Sequence, residues 1–364
     1  MAETPLSDLE AILLVGGRGT RLRPLTLGTP KPLLPTAGVP FLAHQLARAR
    51  SFGVGRIVFA TSYRAEMFSE AFGDGSAFGL SIEYMTEETP LGTGGAIRNA
   101  AEALTCGPDA PVLVLNGDIL SGHDIGDQVA RHVSRGAAVT LHLTEVEDPS
   151  RFGCVPTDAE DRVTAFLEKT PNPVTNLINA GCYVFTRSVI DAIPEGRVVS
   201  VERETFPGLI EDGALVLGYA DASYWLDVGT PAAFVKGSRD LVLGRLASPA
   251  LPGPPGDLLA LPGATVSPEA KVSGGSVVGA HAVVEAGARI TGSVLGDGCV
   301  VHADAEVVDS VVGAGARVAS GTVLRDVVIG DGAVVGAGNE LLAGSRVWPG
   351  VVLPECAVRF SSDV

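Results

Sequence analysis

A chain of 364 residues, 46% hydrophobic and 19% charged, is long enough for two folded domains and too apolar to remain disordered. Its formal net charge of −16 excludes a nucleic-acid binder built on a basic stripe. Five scattered cysteines, Cys106, Cys154, Cys182, Cys299 and Cys356, lack any C-x-x-C spacing and read as buried or free thiols rather than a disulfide framework.

The start, Met1-Ala2-Glu3-Thr4-Pro5, has no basic region before an apolar run, and no stretch nears the ~18 apolar residues that span a bilayer. The expectation is a cytoplasmic protein without membrane or nucleic-acid partners. A strand over Ala11–Val15 leads into Gly16-Gly17-Arg18-Gly19-Thr20-Arg21-Leu22-Arg23-Pro24-Leu25-Thr26, followed by Pro30-Lys31-Pro32. Glycines let backbone N–H groups turn together towards an anion, and the arginines and lysine neutralise charge that amides alone cannot. The stretch has neither the G-K-[ST] of a Walker loop nor the G-x-G-x-x-G of a dinucleotide fingerprint, so it predicts another kind of nucleotide site. From Ala11 to Ala65 there is no Asp or Glu. Of the basic residues there, Arg48, Arg50, Arg56 and Arg64 read as ordinary surface charges around a helix.

The periodicity then predicts a helix over Phe41–Ser51, a strand over Arg56–Ser62, a helix over Arg64–Phe72 and a strand over Ser81–Met85. Next come a helix over Gly94–Leu104, a strand over Val112–Leu115 and a helix over Ile125–Ser134. This is α/β order with a mostly parallel sheet, in which ligands lie at the carboxyl ends of strands. Asp118 ends the run Val112–Asp118 at such an end. A lone carboxylate there suits Mg²⁺, whose shell phosphate oxygens and water would complete, or it makes an Asx-turn. In Trp225-Leu226-Asp227-Val228-Gly229-Thr230-Pro231, Thr230 and Pro231 read as N-cap and first residue of a helix over Ala232–Leu243. Asp227 is left unexplained by that cap.

These elements place a catalytic domain over 1–246. A Pro/Gly-rich linker occupies 247–263. From 264 to 364 Val266, Val272, Val278, Val284 and Ile290 recur every six residues, and Val278-Gly279, Leu295-Gly296, Val312-Gly313 and Ile329-Gly330 every seventeen. Two six-residue sides and one five-residue side close a triangular coil, so six units between Leu259 and Phe360 predict a left-handed parallel β-helix. Its exposed faces suggest a homo-oligomer.

Taken together, the loop with Pro30-Lys31-Pro32, Pro90-Leu91-Gly92-Thr93-Gly94-Gly95-Ala96, Asn116-Gly117-Asp118, Glu168-Lys169, Asn179-Ala180-Gly181 and Trp225–Gly229 resemble the sugar-1-phosphate nucleotidylyltransferase family along essentially the whole chain. Within that family the match is nearest to the enzymes that join GTP with mannose 1-phosphate. The resemblance implies a Rossmann-like (GT-A-like) domain followed by a β-helix, and Mg²⁺ as cofactor. It implies that Arg21 grips the triphosphate, that Lys31 lies near the α-phosphate, and that Asp118 and Asp227 hold the metal. Val15, Gly16, Gly17, Gly19, Thr20, Glu87, Pro90, Gly92, Thr93, Asn116 and Gly117 would line the nucleotide. Gly153, Glu168, Lys169 and Asn179 would bind the sugar phosphate. Without the resemblance, Glu168-Lys169 also reads as a solvated strand end.

Glu87 is expected to accept guanine's adjacent N1–H and N2–H donors, although a loop acid at the surface is an equal alternative. Another sugar 1-phosphate (glucose, heptose or cyclitol), UTP or dTTP, or a non-catalytic regulatory homologue are competing readings. A dead homologue would have lost Arg21, Lys31, Asp118 or Asp227, and all are present. An acyltransferase β-helix would need a catalytic His near a loop insertion, whereas His281 and His302 sit inside regular coils.

Overall fold

The computed structural model describes residues 9–169 and 172–359. Met1–Pro5 and Phe360, which figure in the sequence reading, lie outside the described residues. Two compact units form, one from the residues up to Gly17 with Gln45–Trp225, the other from Arg18–His44 with the chain from Leu226 onward.

In the first unit the alternation is β1 (Leu9–Leu14), α1 (Phe41–Ser51, which begins in the other unit), β2 (Val54–Thr61), α2 (Ala65–Phe72) and β3 (Ser81–Thr86). Then follow α3 (Gly92–Ala100), β4 (Pro111–Asn116), α4 (Ile125–Arg135), β5 (Val139–Glu145), β6 (Gly153–Cys154), β7 (Leu167–Glu168), β8 (Leu177–Thr186) and β9 (Val216–Ala220). The strands form a nine-stranded sheet of order β7-β6-β8-β4-β1-β2-β3, with β5 paired to both β8 and β9. Strands β4, β1, β2 and β3 run parallel, while β8 is antiparallel to β4 and β5. The central strands are apolar on both faces because helices cover both, and Ile12, Val58, Val114, Leu141, Tyr183 and Phe185 are fully buried in one cluster. Helix α4 starts where Asp124 accepts the Asp127 N–H and ends at Gly136 in the left-handed region.

The arginines correct one expectation. Arg50 is exposed, but Arg48 and Arg56 are half-buried. Arg48 donates to the His123 carbonyl. Arg56 donates to the Ala103 carbonyl at 2.9 Å and pairs with Glu83 at 2.7 Å. These acceptors lie 27 to 75 positions away in the sequence, so local spacing alone could not reveal them.

The second unit holds the loop of residues 18–44, the C-terminal part of β10 (Trp225–Asp227), helix α5 (Pro231–Val242) and the coil. Thr230 caps α5 by accepting the Ala233 N–H, with Pro231 in the first turn, as the sequence predicts. The coil is three parallel sheets of six, six and five strands among the described residues, the geometry of a left-handed β-helix. Its first rung enters from the Pro/Gly-rich stretch, since Leu258–Ala260 pairs with Ser276–Val278.

Stacking follows two periods. Leu259 faces Val277, eighteen residues on, whereas Val277 faces Val294 and Val294 faces Val311, seventeen on. The last rung returns to eighteen, with Val328 facing Arg346, and Ala343 and Gly344 just before it have φ of 52° and 79°. Inside the coil Val278, Val284, Ile290, Leu295, Val301 and Val307 form a continuous apolar column. Ser276, Ser293 and Ser310 add a ladder, each hydroxyl accepting the amide N–H one rung above. His302 pairs its Nδ1 with Glu285 on the neighbouring rung, at 3.1 Å. No helix among the described residues is long and apolar enough to cross a membrane.

Candidate active site

In the first unit, neighbouring strand ends bring Val15, Gly16, Asn116, Gly117 and Asp118 together. The Val15 N–H donates to the Ala60 carbonyl at 3.1 Å, which carries pairing one residue beyond β1. Ser62 donates to the Gly16 carbonyl at 2.9 Å. The Gly117 N–H donates to the Leu14 carbonyl at 2.9 Å, and a Cβ on Gly117 would stand 2.6 Å from that oxygen. Only glycine lets β4 turn so tightly beside β1, and Asp118 leaves the sheet from that turn, half-buried. Sequence reasoning missed Gln45, on α1, whose Nε2 donates to the Asn116 carbonyl at 2.9 Å and the Ile119 carbonyl at 2.6 Å. It thereby holds both sides of the Asp118 turn. An amide beside the apolar run Phe41–Ala43 was the available signal.

Glu87 follows β3, its N–H donating to the Thr61 carbonyl at 2.9 Å. Its Oε2 lies 3.5 Å from the Leu91 N–H, while Oε1 is buried with no hydrogen-bond partner. Burial raises the carboxyl's pKa, an effect that the Leu91 N–H partly offsets. The glycine motif starts α3 at Gly92, two residues earlier than the predicted helix, and serves close packing. A Cβ on Gly92 would approach the Val199 carbonyl to 2.6 Å, and the Gly94 N–H donates to that carbonyl at 2.8 Å. Thr93 accepts from the Val201 N–H at 3.0 Å and donates to Glu202 at 2.8 Å. Pro90 is exposed.

Gly153 and Glu168 face each other across β6 and β7, and a Cβ on Gly153 would come within 3.0 Å of Glu168 Oε2. Lys169 has a φ of 42° and its exposed Nζ stands 3.6 Å from Glu168 Oε1. The motif Asn179-Ala180-Gly181 is a bulge in β8: Asn179 pairs with Leu143, but Tyr183, four residues on, pairs with Leu141. Bulges of this kind turn side chains out of the ladder. Asn179 donates to the Tyr183 hydroxyl at 2.8 Å and accepts the Gly181 N–H at 3.1 Å, while Trp225 Nε1 holds the Ala180 carbonyl at 3.0 Å.

In the second unit, Gly19 takes a left-handed conformation (φ 57°) and opens a single turn over Thr20–Leu22. Thr26 donates to the Gly19 carbonyl at 2.8 Å, and fully buried Leu22 anchors the loop. Lys31 is buried, with Nζ 3.9 Å from Asp227 Oδ1. A Cβ on Gly229 would lie 2.8 Å from Arg21 Nη2 and 3.1 Å from Asp227 Oδ1. Arg21 and Asp227 therefore meet beside Gly229, and Lys31 stands near the same carboxylate.

Among the described residues no group of three or more His, Cys, Asp or Glu side chains could hold a metal. Asp118 in the first unit and Asp227 in the second are each half-buried carboxylates, oxygen donors of the kind that hard divalent cations take.

The family model for nucleotidyl transferase matches residues 10–242, and that for the GMPPB C-terminal domain matches residues 255–358. A Mycobacterium tuberculosis protein named mannose-1-phosphate guanylyltransferase is 58% identical over 98% of this chain and 99% of its own. A Gibberella zeae mannose-1-phosphate guanyltransferase is 39% identical over 63% of each chain. Among solved structures, HddC from Yersinia pseudotuberculosis complexed with GMP-PN superposes with a TM-score of 0.55 at 26% identity, covering 64% of this chain and 99% of its own. The glycine-and-arginine loop, the strand-end carboxylate and these matches along nearly the whole length lead to one conclusion: the chain belongs to the nucleotidyl transferase family.

Proposed function

We propose that this protein transfers GMP from GTP to mannose 1-phosphate, releasing pyrophosphate. The observation that carries this reading is the meeting of Arg21 and Asp227 beside Gly229, with Lys31 near the same carboxylate, in a chain 58% identical to a protein named for that activity. A phosphate oxygen of the sugar phosphate attacks the α-phosphorus in line, and the bond to the β-phosphate bridging oxygen breaks. The reaction needs no covalent enzyme intermediate, so the work is positioning two polyanions and stabilising charge on the transferring group. Arg21 binds the triphosphate and Lys31 offsets charge at the α-phosphate. Gly16, Gly17, Gly19 and Thr20 present backbone N–H groups to the nucleotide, and Val15, Pro90, Gly92, Thr93, Asn116 and Gly117 shape the pocket. Asp118 and Asp227 would hold Mg²⁺, which when bound neutralises phosphate charge. Glu168, Asn179 and the backbone at Gly153 read sugar hydroxyls, and Lys169 neutralises the sugar phosphate.

Pyrophosphate release measured for GTP, UTP, dTTP and ATP against mannose, glucose and heptose 1-phosphates tests the assignment. GTP with mannose 1-phosphate is expected to give the highest kcat/KM; preference for UTP or dTTP overturns it.

We assign guanine recognition to Glu87, on the strength of its buried Oε1 without a partner. Two adjacent N–H donors of guanine would satisfy that carboxylate, whereas uracil's edge alternates donor and acceptor. Glu87→Gln is expected to lower the GTP over UTP ratio about 10- to 100-fold, the size of a lost hydrogen bond to a charged group. An unchanged ratio removes Glu87 from base selection.

A further inference from the structure

The backbone that carries Arg21 does not satisfy itself. From Gly19 to Leu27, the amides of Leu22, Arg23, Leu25 and Leu27 return to the carbonyls of Gly19, Thr20, Leu22 and Pro24, each three residues back. The carbonyl of Arg21 has no such donor, because the residue three positions on is Pro24 and proline has no N–H. Its donor comes from the other end of the sequence. Arg346 Nη1 donates to the Arg21 carbonyl at 3.0 Å and to the Arg23 carbonyl at 2.6 Å.

Arg346 begins the short strand Arg346–Val347 of the last rung, opposite Val328. A guanidinium bonded to two carbonyls makes charge-assisted bonds and fixes both in direction. It also adds a cation to a loop that already carries Arg18, Arg21 and Arg23, an arrangement that favours a bound polyanion. With the Arg21 backbone held by Arg346 and its guanidinium resting over Gly229, both ends of that residue are fixed before any ligand arrives.

We propose that Arg346 of the β-helix is a positioning residue for nucleotide binding, holding the loop at Arg21 and Arg23 so that Arg21 meets the triphosphate in the productive geometry. This rests on the reading of Arg21 as a triphosphate ligand. It gives the β-helix an indirect part in nucleotide binding, through Arg21, in addition to any role in assembly.

The test uses full-length Arg346→Ala and Arg346→Lys proteins, with steady-state kinetics for both substrates, amide hydrogen exchange across residues 18–27, and thermal melting as the folding control. In Arg346→Ala, kcat/KM for GTP is expected to fall about 10- to 100-fold, the scale of a misplacement near 1 Å. KM for the sugar 1-phosphate stays unchanged, the Leu22 and Arg23 amides exchange faster, and the melting temperature holds. Arg346→Lys recovers part of the loss, since an ammonium can reach one carbonyl without the planar fork. Unchanged nucleotide kinetics, or slower kinetics without faster exchange at Leu22 and Arg23, overturns the proposal. If the wild type prefers another nucleoside triphosphate, that nucleotide replaces GTP in the assay, so failure of the guanylyl assignment leaves this test intact.

Discussion

Arg21→Ala is expected to lower kcat/KM for GTP on the order of 10³-fold, the lower range seen when an arginine that stabilises a transferring phosphoryl group is removed. Arg21 is exposed, so its loss removes little packing, and the melting temperature is expected to stay within a few degrees of wild type. The side chain rests over Gly229 beside Asp227 Oδ1, a place from which a guanidinium can offer a planar pair of donors to phosphate oxygens. Arg21→Lys keeps the charge but not the fork, and is expected to regain no more than about tenfold. Initial rates of pyrophosphate release with GTP varied at saturating sugar phosphate decide the matter. A loss below tenfold in Arg21→Ala would remove Arg21 from the reacting phosphates.

The second large effect is on stability in mild acid. His123, His132 and His142 are 0%, 3% and 1% exposed. Burial pushes their pKa values down to about 2, about 4 and about 4. For His123 the second cause is His142, whose ring stacks on it at 3.7 Å between centroids. A histidine whose folded pKa lies below its unfolded value binds fewer protons when folded. Its contribution is therefore fully present above the unfolded pKa near 6.5 and is lost as pH falls from there towards 4 and below. At pH 5 each such histidine costs about 2 kcal/mol of folding stability relative to pH 7.5. Urea denaturation at pH 7.5, 6 and 5 should show a steady fall in midpoint, and His132→Asn should flatten part of it. A midpoint independent of pH over that range would falsify the assignment of neutral buried imidazoles.

What could be read from the sequence was what repeats or stays local. Up to Ser134 the β-branched runs and helical spacing gave strands and helices to within a few residues, because the hydrophobic period follows which face is buried; the strands from β5 to β9 carried no such assignment. The coil was legible for the same reason. The place of Asp118 just past a strand end was legible because the apolar run Val112–Leu115 stops at Asn116. The glycines of Pro90–Ala96 were harder: their type suggests a ligand loop, yet Gly92 and Gly94 are in contact with Val199, a residue that no local pattern connects to them. Gln45, Tyr183 and Arg346 act through partners 4 to 325 positions away, and hydrogen bonds of that kind leave no period behind. The bulge at Asn179–Gly181 is similar, because it exists only as a mismatch in count between two strands.

The seventeen-residue coil has a further consequence when it is set beside the contact at Arg346. Rungs of stacked parallel strands are about 4.8 Å apart. A coil added or removed anywhere between Ser276 and Val328 would shift the last rung by that distance, farther than a hydrogen bond can stretch from the 3.0 Å seen at the Arg21 carbonyl. The coil is thus a ruler as well as a scaffold: one turn more or fewer would carry Arg346 out of reach of the Arg21 carbonyl.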